Sequence, residues 1–315
     1  MIDLSILIVN WNTRDLLSQC LQSLCDTADR LAQADRPVLA YGSYQVEVFV
    51  VDNASRDDSV EIVRGQFPWA RLIVNERNVG FAPANNQAFQ ASCGRYVMLL
   101  NSDTVVHRDA LKQLIDFMDA QPRCGASGAR LLNADGSLQP SCHPMLTPWR
   151  EFWRLIFLDQ ILRRGTYDMA RWNVNTPRLV ETIKGACMIV RRAALDQIGP
   201  LLDEQYFMYT EEVDLCYRLS RANWQLYWLP AACVTHFGEA SSRQAAEAMY
   251  VQLYRSKVQF YRKFGGEQRA TLYKRLVRLA YWPRVLATTI AVRFKTSLAP
   301  QLKTFQRLLN DLAAM

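Results

Sequence analysis

Tyr96-Val97-Met98-Leu99-Leu100-Asn101-Ser102-Asp103 joins a largely apolar run to a polar turn that ends in a carboxylate. The apolar run predicts a strand buried inside a sheet. In an open α/β sheet, ligands bind beyond the carboxyl ends of the strands, and a carboxylate there can hold a hard divalent cation. We therefore expect Asp103 to lie in a ligand site.

Strand-like and helix-like segments alternate around this stretch. Residues 4–9, 46–51 and 72–74 predict three more buried strands, since they are short apolar runs. Helical spacing of apolar residues predicts helices within residues 15–24, 60–67, 84–91 and 109–118, with Thr13 and Ser55 as N-caps of the first two. Near-continuous apolar strands separated by helices favour a doubly wound, mostly parallel α/β sheet, whose first 120 residues form a nucleotide-binding half.

Composition excludes a disordered chain, because half of the 315 residues are hydrophobic and 21% are charged. The eight cysteines form no C-x-x-C pair and several lie in apolar runs, which predicts reduced, mostly buried thiols and a cytosolic compartment. The first residues lack the basic region of a secretory signal, and no apolar stretch reaches the ~18 residues of a spanning helix. We expect a soluble or peripheral protein.

Charge divides the chain near residue 242. Residues 243–315 contain fourteen Lys or Arg and three acids, a net charge of +11; since the whole chain carries +7, residues 1–242 carry −4. Aromatic and cationic residues interleave in this segment, which favours helices lying on an anionic membrane surface, with dimerisation through the same face as the alternative. We therefore predict one domain over residues 1–242, with a nucleotide-binding half over 1–120 and a second half over 121–242, and a basic helical tail over 243–315.

Polar residues follow each predicted strand. These clusters are Asn10-Trp11-Asn12, Asp52-Asn53-Ala54-Ser55, residues 75–81 and Asn101-Ser102-Asp103. Any one of them is equally typical of an ordinary turn. Together, at one edge of a parallel sheet, they indicate a binding site.

The ordered motifs resemble glycosyltransferase family 2, and its rhamnosyltransferase-like branch in particular, over roughly residues 4–240. The motifs are Ile8–Asn12 (IVNWN), Val50–Ser55 (VVDNAS), Asn78–Ala82 (NVGFA), Asn101–Asp103 (NSD), Gly185–Arg191 (GACMIVR) and Phe207–Leu215 (FMYTEEVDL). The resemblance implies a GT-A fold and inverting transfer of a sugar, L-rhamnose from dTDP-rhamnose, to a hydroxyl of a glycan acceptor. A lipid-linked acceptor, a bacterial surface polysaccharide such as O-antigen, and peripheral contact with the cytoplasmic face of the inner membrane go with it.

The same resemblance assigns residues of the donor site. Asp52 matches the acid that contacts the nucleobase, and Asn10 and Asn12 match the loop beside base and ribose. The other positions that it places along the nucleotide sugar are Asn53, Arg77, Asn78, Gly80, Asn101, Ser102 and Asp103.

Asp103 corresponds to the last acid of the family's D-x-D metal motif, and the first acid is replaced by Asn101. A single carboxylate supplies less charge to Mg²⁺ or Mn²⁺, so donor phosphates and water must complete the coordination. His236, in Val234-Thr235-His236-Phe237-Gly238, matches the histidine that approaches the metal or the diphosphate. Without that context a lone histidine is usually a hydrogen-bonded structural residue.

Transfer also requires a general base for the attacking hydroxyl. Glu212 falls on the family's base position, with Glu in place of the more usual Asp, and Asp214 is the second candidate. Both acids lie in the first turn of a predicted helix behind Thr210, where acids also stabilise an ordinary helix.

Two other classes of function remain open to the sequence. A pI near 9 with interleaved aromatics is also typical of nucleic-acid binding, although Asn, Asp and Glu dominate the motif edge and oppose it. A nucleotide-sugar binding protein without catalysis would not need Asp103, Glu212 and His236 together. The aromatic and arginine-rich segment 140–182 fits either a cover over the acceptor or an ordinary helix on the core.

Overall fold

The computed structural model describes residues 1–33, 37–162, 164–238 and 245–315. The strands in these ranges are β1 Leu4–Asn10, β2 Arg30–Gln33, β3 Pro37–Tyr41, β4 Tyr44–Asp52, β5 Arg71–Val74, β6 Tyr96–Leu100, β7 Thr104–Val106, β8 Cys124–Leu132, β9 Leu138–Gln139, β10 Cys142–His143, β11 Arg178–Leu179, β12 Thr182–Ile183, β13 Cys187–Arg191 and β14 Gln225–His236. The helices are α1 Arg14–Thr27, α2 Ser59–Gln66, α3 Phe81–Ala91, α4 Ala110–Ala120, α5 Pro148–Leu155, α6 Arg192–Ile198, α7 Glu211–Arg221, α8 Ala246–Val292 and α9 Ala299–Asp311.

The predicted parallel sheet is confirmed at its centre, where β5, β4, β1 and β6 run parallel in that order. Leu7 and Ile8 of β1 point to opposite faces and both are fully buried, so the sheet is covered on both sides. Antiparallel β13 extends the sheet beyond β6, and β8 and β14 continue it as a parallel pair. The periodicity did not predict this antiparallel extension.

The chain forms two compact units. The first consists of Met1–His143, Met169–Phe207 and Glu212–Ser241, of which the structure describes residues up to 238. The second consists of Pro144–Asp168, Met208–Glu211 and Ser242–Met315, of which the structure describes all but residues 163 and 242–244. The basic tail therefore shares a unit with residues 144–168, which the sequence-based division placed in the half over residues 121–242.

A buried carboxylate in the second unit pairs with two cations. Glu151 of α5 is 3% exposed and accepts hydrogen bonds from Arg154 and from Lys257 of α8. Burial alone would raise the pKa of Glu151, but these two cations hold it below its ordinary value. The long helix α8 breaks at Gly266, whose φ of +70° lies in the left-handed region.

The cysteines are all free thiols, as predicted, and five of the eight are buried. Burial raises the pKa of Cys20, Cys124, Cys142, Cys187 and Cys216 to about 12, so these thiols stay protonated. Among the described residues, no helix is both long enough and apolar enough to cross a bilayer.

Candidate active site

A cavity of about 700 Å³ opens beyond the carboxyl ends of β1, β4 and β5. Its lining residues are Trp11, Asn12, Asp52, Ala54, Ser55, Arg56, Val60, Val74, Asn75, Glu76, Arg77 and Asn78. Three of the four predicted polar clusters thus meet at one cavity, whose size is typical of small-molecule sites.

Asp52 forms the buried floor of this cavity and is 1% exposed. Its Oδ2 accepts a hydrogen bond from Asn10 Nδ2 at 3.1 Å, and its Oδ1 accepts one from the Ser55 amide at 2.9 Å. Asn10 is itself fully buried at the end of β1. These bonds fix the carboxylate in place at the base of the cavity.

Thr13 and Ser55 precede helices but do not cap them. The helix after Ser55 begins only at Ser59, and the Ser55 hydroxyl instead accepts hydrogen bonds from Asn10 Nδ2 and from the Asn12 amide, at 3.1 and 2.9 Å. Thr13 occupies the cap position of α1, yet its hydroxyl donates to Asn10 Oδ1 at 2.6 Å. The predicted capping roles are therefore wrong, because both hydroxyls are used to connect the loops of the site.

Ser102 connects this network to the fourth polar cluster. Its hydroxyl lies 3.0 Å from that of Thr13, so Asp52, Asn10, Thr13 and Ser102 form one hydrogen-bonded series. Asp103 follows directly in sequence. The cavity and the predicted metal residue therefore share one edge of the sheet.

Asn53 fixes the loop after β5. Its Nδ2 donates to Asn78 Oδ1 and to the Gly80 carbonyl, both at 3.0 Å. Its Oδ1 accepts from Asn75 Nδ2 at 3.1 Å and from the Val79 amide at 3.2 Å. The side chain is 2% exposed and does not line the cavity, so it holds the wall rather than contacting a ligand from within it.

Gly80 is required by its backbone conformation and by its neighbour. Its φ is +96°, and a Cβ added there would lie 2.6 Å from the Phe207 carbonyl oxygen. The same oxygen accepts a hydrogen bond from the Phe81 amide at 2.7 Å. Gly80 thus lets α3 begin against the Phe207 segment.

Asn101, Asp103 and His236 meet at the end of β6. His236 Nε2 lies 3.3 Å from Asp103 Oδ1 and 3.2 Å from Asn101 Nδ2. His236 and Asp103 are 3% and 6% exposed, and β14 pairs with β7 so that His236 faces Thr104. The other two histidines lie elsewhere: His107 contacts Thr235, and His143 is in β10.

This group provides two cation ligands, a carboxylate oxygen and an imidazole nitrogen. Two adjacent ligands of an octahedral cation with bonds of about 2.1 Å lie about 3 Å apart, close to the separation of Asp103 Oδ1 and His236 Nε2. Within the described ranges, no group of three or more His, Cys, Asp and Glu side chains is arranged to hold a metal. The protein residues fit a cation whose remaining ligands come from elsewhere.

Glu212 lies on the same edge of the sheet. Its Cβ and Cγ pack beside Gly185, within 4 Å of where a Cβ on that glycine would stand. The next residue, Ala186, accepts a hydrogen bond through its carbonyl from the Asn101 amide at 3.0 Å. The packing of Glu212 beside Gly185 and the hydrogen bond of Ala186 to Asn101 therefore place the segment of Glu212 near the segment of Asp103.

Asp214 has a different environment. It is fully buried, with Oδ1 accepting from Arg218 Nε at 2.6 Å and Oδ2 accepting from the Tyr206 hydroxyl at 3.3 Å. Both acids lie in the first turn of α7, as predicted. The residues before this helix, Tyr209 and Thr210, have φ of +68° and +72°, a conformation that costs energy in non-glycine residues and is often found at functional sites.

Sequence reasoning missed Gln139, which lies on the two-residue strand β9. Its Oε1 is 2.6 Å from His236 Nδ1, and its Nε2 donates to the His236 carbonyl at 3.0 Å. Nothing in the local pattern marks Gln139, because 97 residues separate it from His236.

Comparison with known proteins identifies the chain's relatives. Residues 5–199 match the family model "Glycosyl transferase family 2". An N-acetylglucosaminyl-diphospho-decaprenol L-rhamnosyltransferase of Mycobacterium tuberculosis (strain ATCC 25618 / H37Rv) is 30% identical over 216 residues, 61% of this chain and 66% of the relative. Rhamnosyltransferase WbbL of Escherichia coli (strain K12) is 23% identical over 171 residues, 52% of this chain and 63% of the relative. Both matches span just under two thirds of the relative's own length.

A solved structure shows the same fold. Mannosyltransferase PcManGT from Pyrobaculum calidifontis, in complex with GDP-Man and Mn²⁺, superposes with a TM-score of 0.51 at 16% identity, covering 99% of this chain and 86% of that chain. The expected GT-A fold and the resemblance to the rhamnosyltransferase-like branch are confirmed. The chain belongs to glycosyltransferase family 2.

Proposed function

We propose that the protein is an inverting glycosyltransferase of cell-surface glycan synthesis, which transfers a sugar from a nucleotide diphosphate donor to a hydroxyl of a glycan acceptor. The observation that carries this proposal is the shared edge: the cavity over Asp52, the pair Asp103 and His236, and Glu212 all lie beyond the ends of neighbouring strands. The rhamnosyltransferase relatives favour L-rhamnose as the transferred sugar, and the family resemblance implies dTDP-rhamnose as its donor.

The cavity residues bind and orient the nucleotide. Asp52, fixed by Asn10 and Ser55, presents its carboxylate to the base, with Asn12 beside it. Arg77 is exposed at the rim, where its cation can follow the nucleotide's phosphates. Asn78 and Gly80 shape the same wall under the control of Asn53.

Asp103 and His236 would hold Mg²⁺ or Mn²⁺ between them. When bound, the cation supplies Lewis-acid stabilisation of the leaving diphosphate. Asn101 does not add the second carboxylate of a complete D-x-D motif, so the donor's phosphate oxygens and water fill the remaining positions.

Glu212 takes the proton of the attacking hydroxyl. The new glycosidic bond forms from the acceptor oxygen to the anomeric carbon while the bond to the diphosphate breaks on the opposite side, which inverts the configuration. We assign to Asp214 a positioning role, since Arg218 and Tyr206 engage both of its oxygens inside the fold. Arg218 in turn donates to the Pro200 and Leu201 carbonyls.

The second unit favours contact with a membrane surface and thus a lipid-linked acceptor. Leu279, Trp282, Leu286 and Ile290 of α8 are 53–64% exposed. At about 100° per residue they occupy one sector about 80° wide. Arg275 and Arg293 are exposed and lie at the same angle around the helix axis, one before and one after the four apolar residues. Such an arrangement is expected for a helix on an anionic bilayer. A symmetric dimer through this face would instead bring arginines together.

Donor binding tests the catalytic proposal. We expect dTDP-rhamnose with Mn²⁺ to raise the melting temperature more than other nucleotide sugars, since a ligand that binds only the folded state stabilises it. Release of dTDP with a rhamnosylated lipid-linked acceptor would then demonstrate transfer. Failure of every nucleotide sugar to bind would refute the proposal.

Vesicle sedimentation tests the membrane face separately. Replacing Trp282 and Leu286 together by serine should weaken binding to phosphatidylglycerol vesicles by about tenfold or more, because each buried apolar side chain contributes about 1.5–3 kcal/mol. Leu179→Ser, at a residue 57% exposed in the first unit, is the matched control. Unchanged sedimentation of the double variant, or its conversion from dimer to monomer, would refute membrane contact through this face.

A further inference from the structure

The Gln139 side chain contacts His236 twice, at ring nitrogen Nδ1 and at the backbone carbonyl. The Gln139 Nε2 amide donates to two oxygens, the His236 carbonyl at 3.0 Å and Asn133 Oδ1 at 2.9 Å. Its Oε1 is therefore the atom that faces His236 Nδ1 at 2.6 Å. Since an amide oxygen only accepts, Nδ1 of the neutral imidazole must carry the hydrogen, and Nε2 keeps its lone pair.

The direction of these bonds is set from the far end of the β8–β9 hairpin. Asp135 Oδ1 accepts from the Ser137 hydroxyl at 2.6 Å and from the Ser137 amide at 2.9 Å. Those bonds lower the pKa of Asp135, the hydroxyl bond more than the amide bond, which keeps it an ionised, acceptor-only carboxylate. Ser137 Oγ has thus used its only hydrogen and must accept from Asn133 Nδ2 at 2.9 Å. Asn133 Oδ1 is then the atom left to face Gln139.

The surroundings of Nε2 agree with this direction. Asn101 Nδ2 lies 3.2 Å from Nε2 and can donate to its lone pair. Asp103 Oδ1 lies 3.3 Å from Nε2 and, without Gln139, would favour the tautomer that carries its hydrogen on Nε2. Gln139 therefore opposes the tautomer that Asp103 alone would favour.

We propose that the series Asp135, Ser137, Asn133 and Gln139 is a positioning relay that holds His236 as its Nδ1–H tautomer and presents the Nε2 lone pair beside Asp103. Such a nitrogen is a cation ligand and cannot donate a hydrogen bond to a diphosphate. The second statement rests on the proposed function, whereas the tautomer itself does not. Outer partners of this kind fix the orientation of metal-binding histidines.

Nitrogen-15 NMR of the full chain, labelled at histidine and free of metal and donor, reads the tautomer directly. Long-range proton–nitrogen correlations of three histidines are assigned by replacing His107 and His143 in turn. We expect the Nδ1–H pattern for His236 in the parent chain and the Nε2–H pattern in Gln139→Leu. Gln139→Glu keeps an acceptor for Nδ1 and should keep the Nδ1–H pattern, although its second oxygen faces two acceptors, Asn133 Oδ1 and the His236 carbonyl, and lowers the stability of the fold.

Direct Mn²⁺ titration by electron paramagnetic resonance provides the second measurement. Gln139→Leu should bind Mn²⁺ about 10–100-fold more weakly than the parent, because the residue that orients a metal-binding histidine contributes to metal affinity by about that factor. Gln197→Leu is the matched control, because Gln197 Oε1 also accepts from a ring nitrogen, Trp224 Nε1, at 3.0 Å.

The two measurements separate two failures. An Nε2–H pattern in the parent, or a Gln139→Leu variant that keeps the Nδ1–H pattern while its thermal melt stays cooperative, would overturn the relay. A confirmed tautomer with equal Mn²⁺ affinity in parent and Gln139→Leu would leave the relay in place and refute the role of His236 as a cation ligand.

Discussion

Replacing Asn53 by alanine should weaken both the fold and the donor site. The substitution removes four hydrogen bonds of 3.0–3.2 Å, to Asn75, Asn78, Val79 and Gly80. Each neutral bond contributes a net ~0.5–1.5 kcal/mol, and the two side-chain partners can turn to water while the buried backbone groups cannot. We therefore expect the free energy of unfolding to fall by about 2–4 kcal/mol.

The loop that Asn53 holds forms one wall of the cavity. Once Asn53 is lost, donor binding must order that loop itself, at about 0.5–1.5 kcal/mol for each side chain immobilised. We expect the dissociation constant for dTDP-rhamnose to rise by about tenfold. Chemical denaturation and calorimetric titration of the same preparation measure the two effects.

Asn53→Asp is the sharper variant, because it keeps the shape and the two accepted bonds. Its new oxygen would face two acceptors, Asn78 Oδ1 and the Gly80 carbonyl, so it should destabilise at least as much as alanine. Asn173→Ala is the matched control, since exposed Asn173 accepts a single bond from the Asn175 amide. Parent-like stability and donor affinity in Asn53→Ala would refute this reasoning.

Three more predictions concern charged groups and their replacements. Glu212→Gln should lower kcat by about 10²–10⁴-fold with little change in donor affinity, because it removes the proton acceptor and keeps the shape; rapid-quench assays measure this. Asn101→Asp should tighten Mn²⁺ binding, measured by titration, because a second carboxylate joins Asp103. Glu151→Gln should destabilise the fold by about 3 kcal/mol, since it leaves the buried end of Lys257 without its counter-charge. Ionised Glu151 contributes fully to the free energy of unfolding above its ordinary pKa of 4.5, and this contribution is lost as the pH falls through the lower pKa of the folded state. We therefore expect the parent's stability to decline below about pH 4.5 and the stability of Glu151→Gln to decline less.

Each of these predictions has an outcome that contradicts it. A parent-like kcat in Glu212→Gln would move the base to another residue. Weaker Mn²⁺ binding in Asn101→Asp would show that the amide, with its bond to His236, contributes more than charge does. If Glu151→Gln is as stable as the parent at pH 7, the desolvation of the buried charges costs as much free energy as their attraction provides.

The sequence predicted the elements of the fold because their signals are local. Apolar runs such as residues 96–100 became the central strands, and the polar residues after them met at one edge, since parallel strands end on the same side. The predictions of Thr13 and Ser55 as helix N-caps were wrong, because their hydroxyls form hydrogen bonds between loops instead. Helix N-caps and hydrogen bonds between loops call for the same residue types, so sequence alone does not say which one Thr13 or Ser55 serves.

By itself, the sequence determined the α/β class and predicted the polar rim and Asp103, because hydrophobic period and residue type act over a few positions. Glu212 was a candidate base through the family resemblance, and its role stays a prediction. Only the tertiary structure decided that Gln139 bonds His236, that Asn53 holds residues 75–80, and that Asp214 pairs with Arg218. The direction of a hydrogen bond between distant segments depends on which atoms the fold brings within 3 Å, and no local pattern encodes that distance.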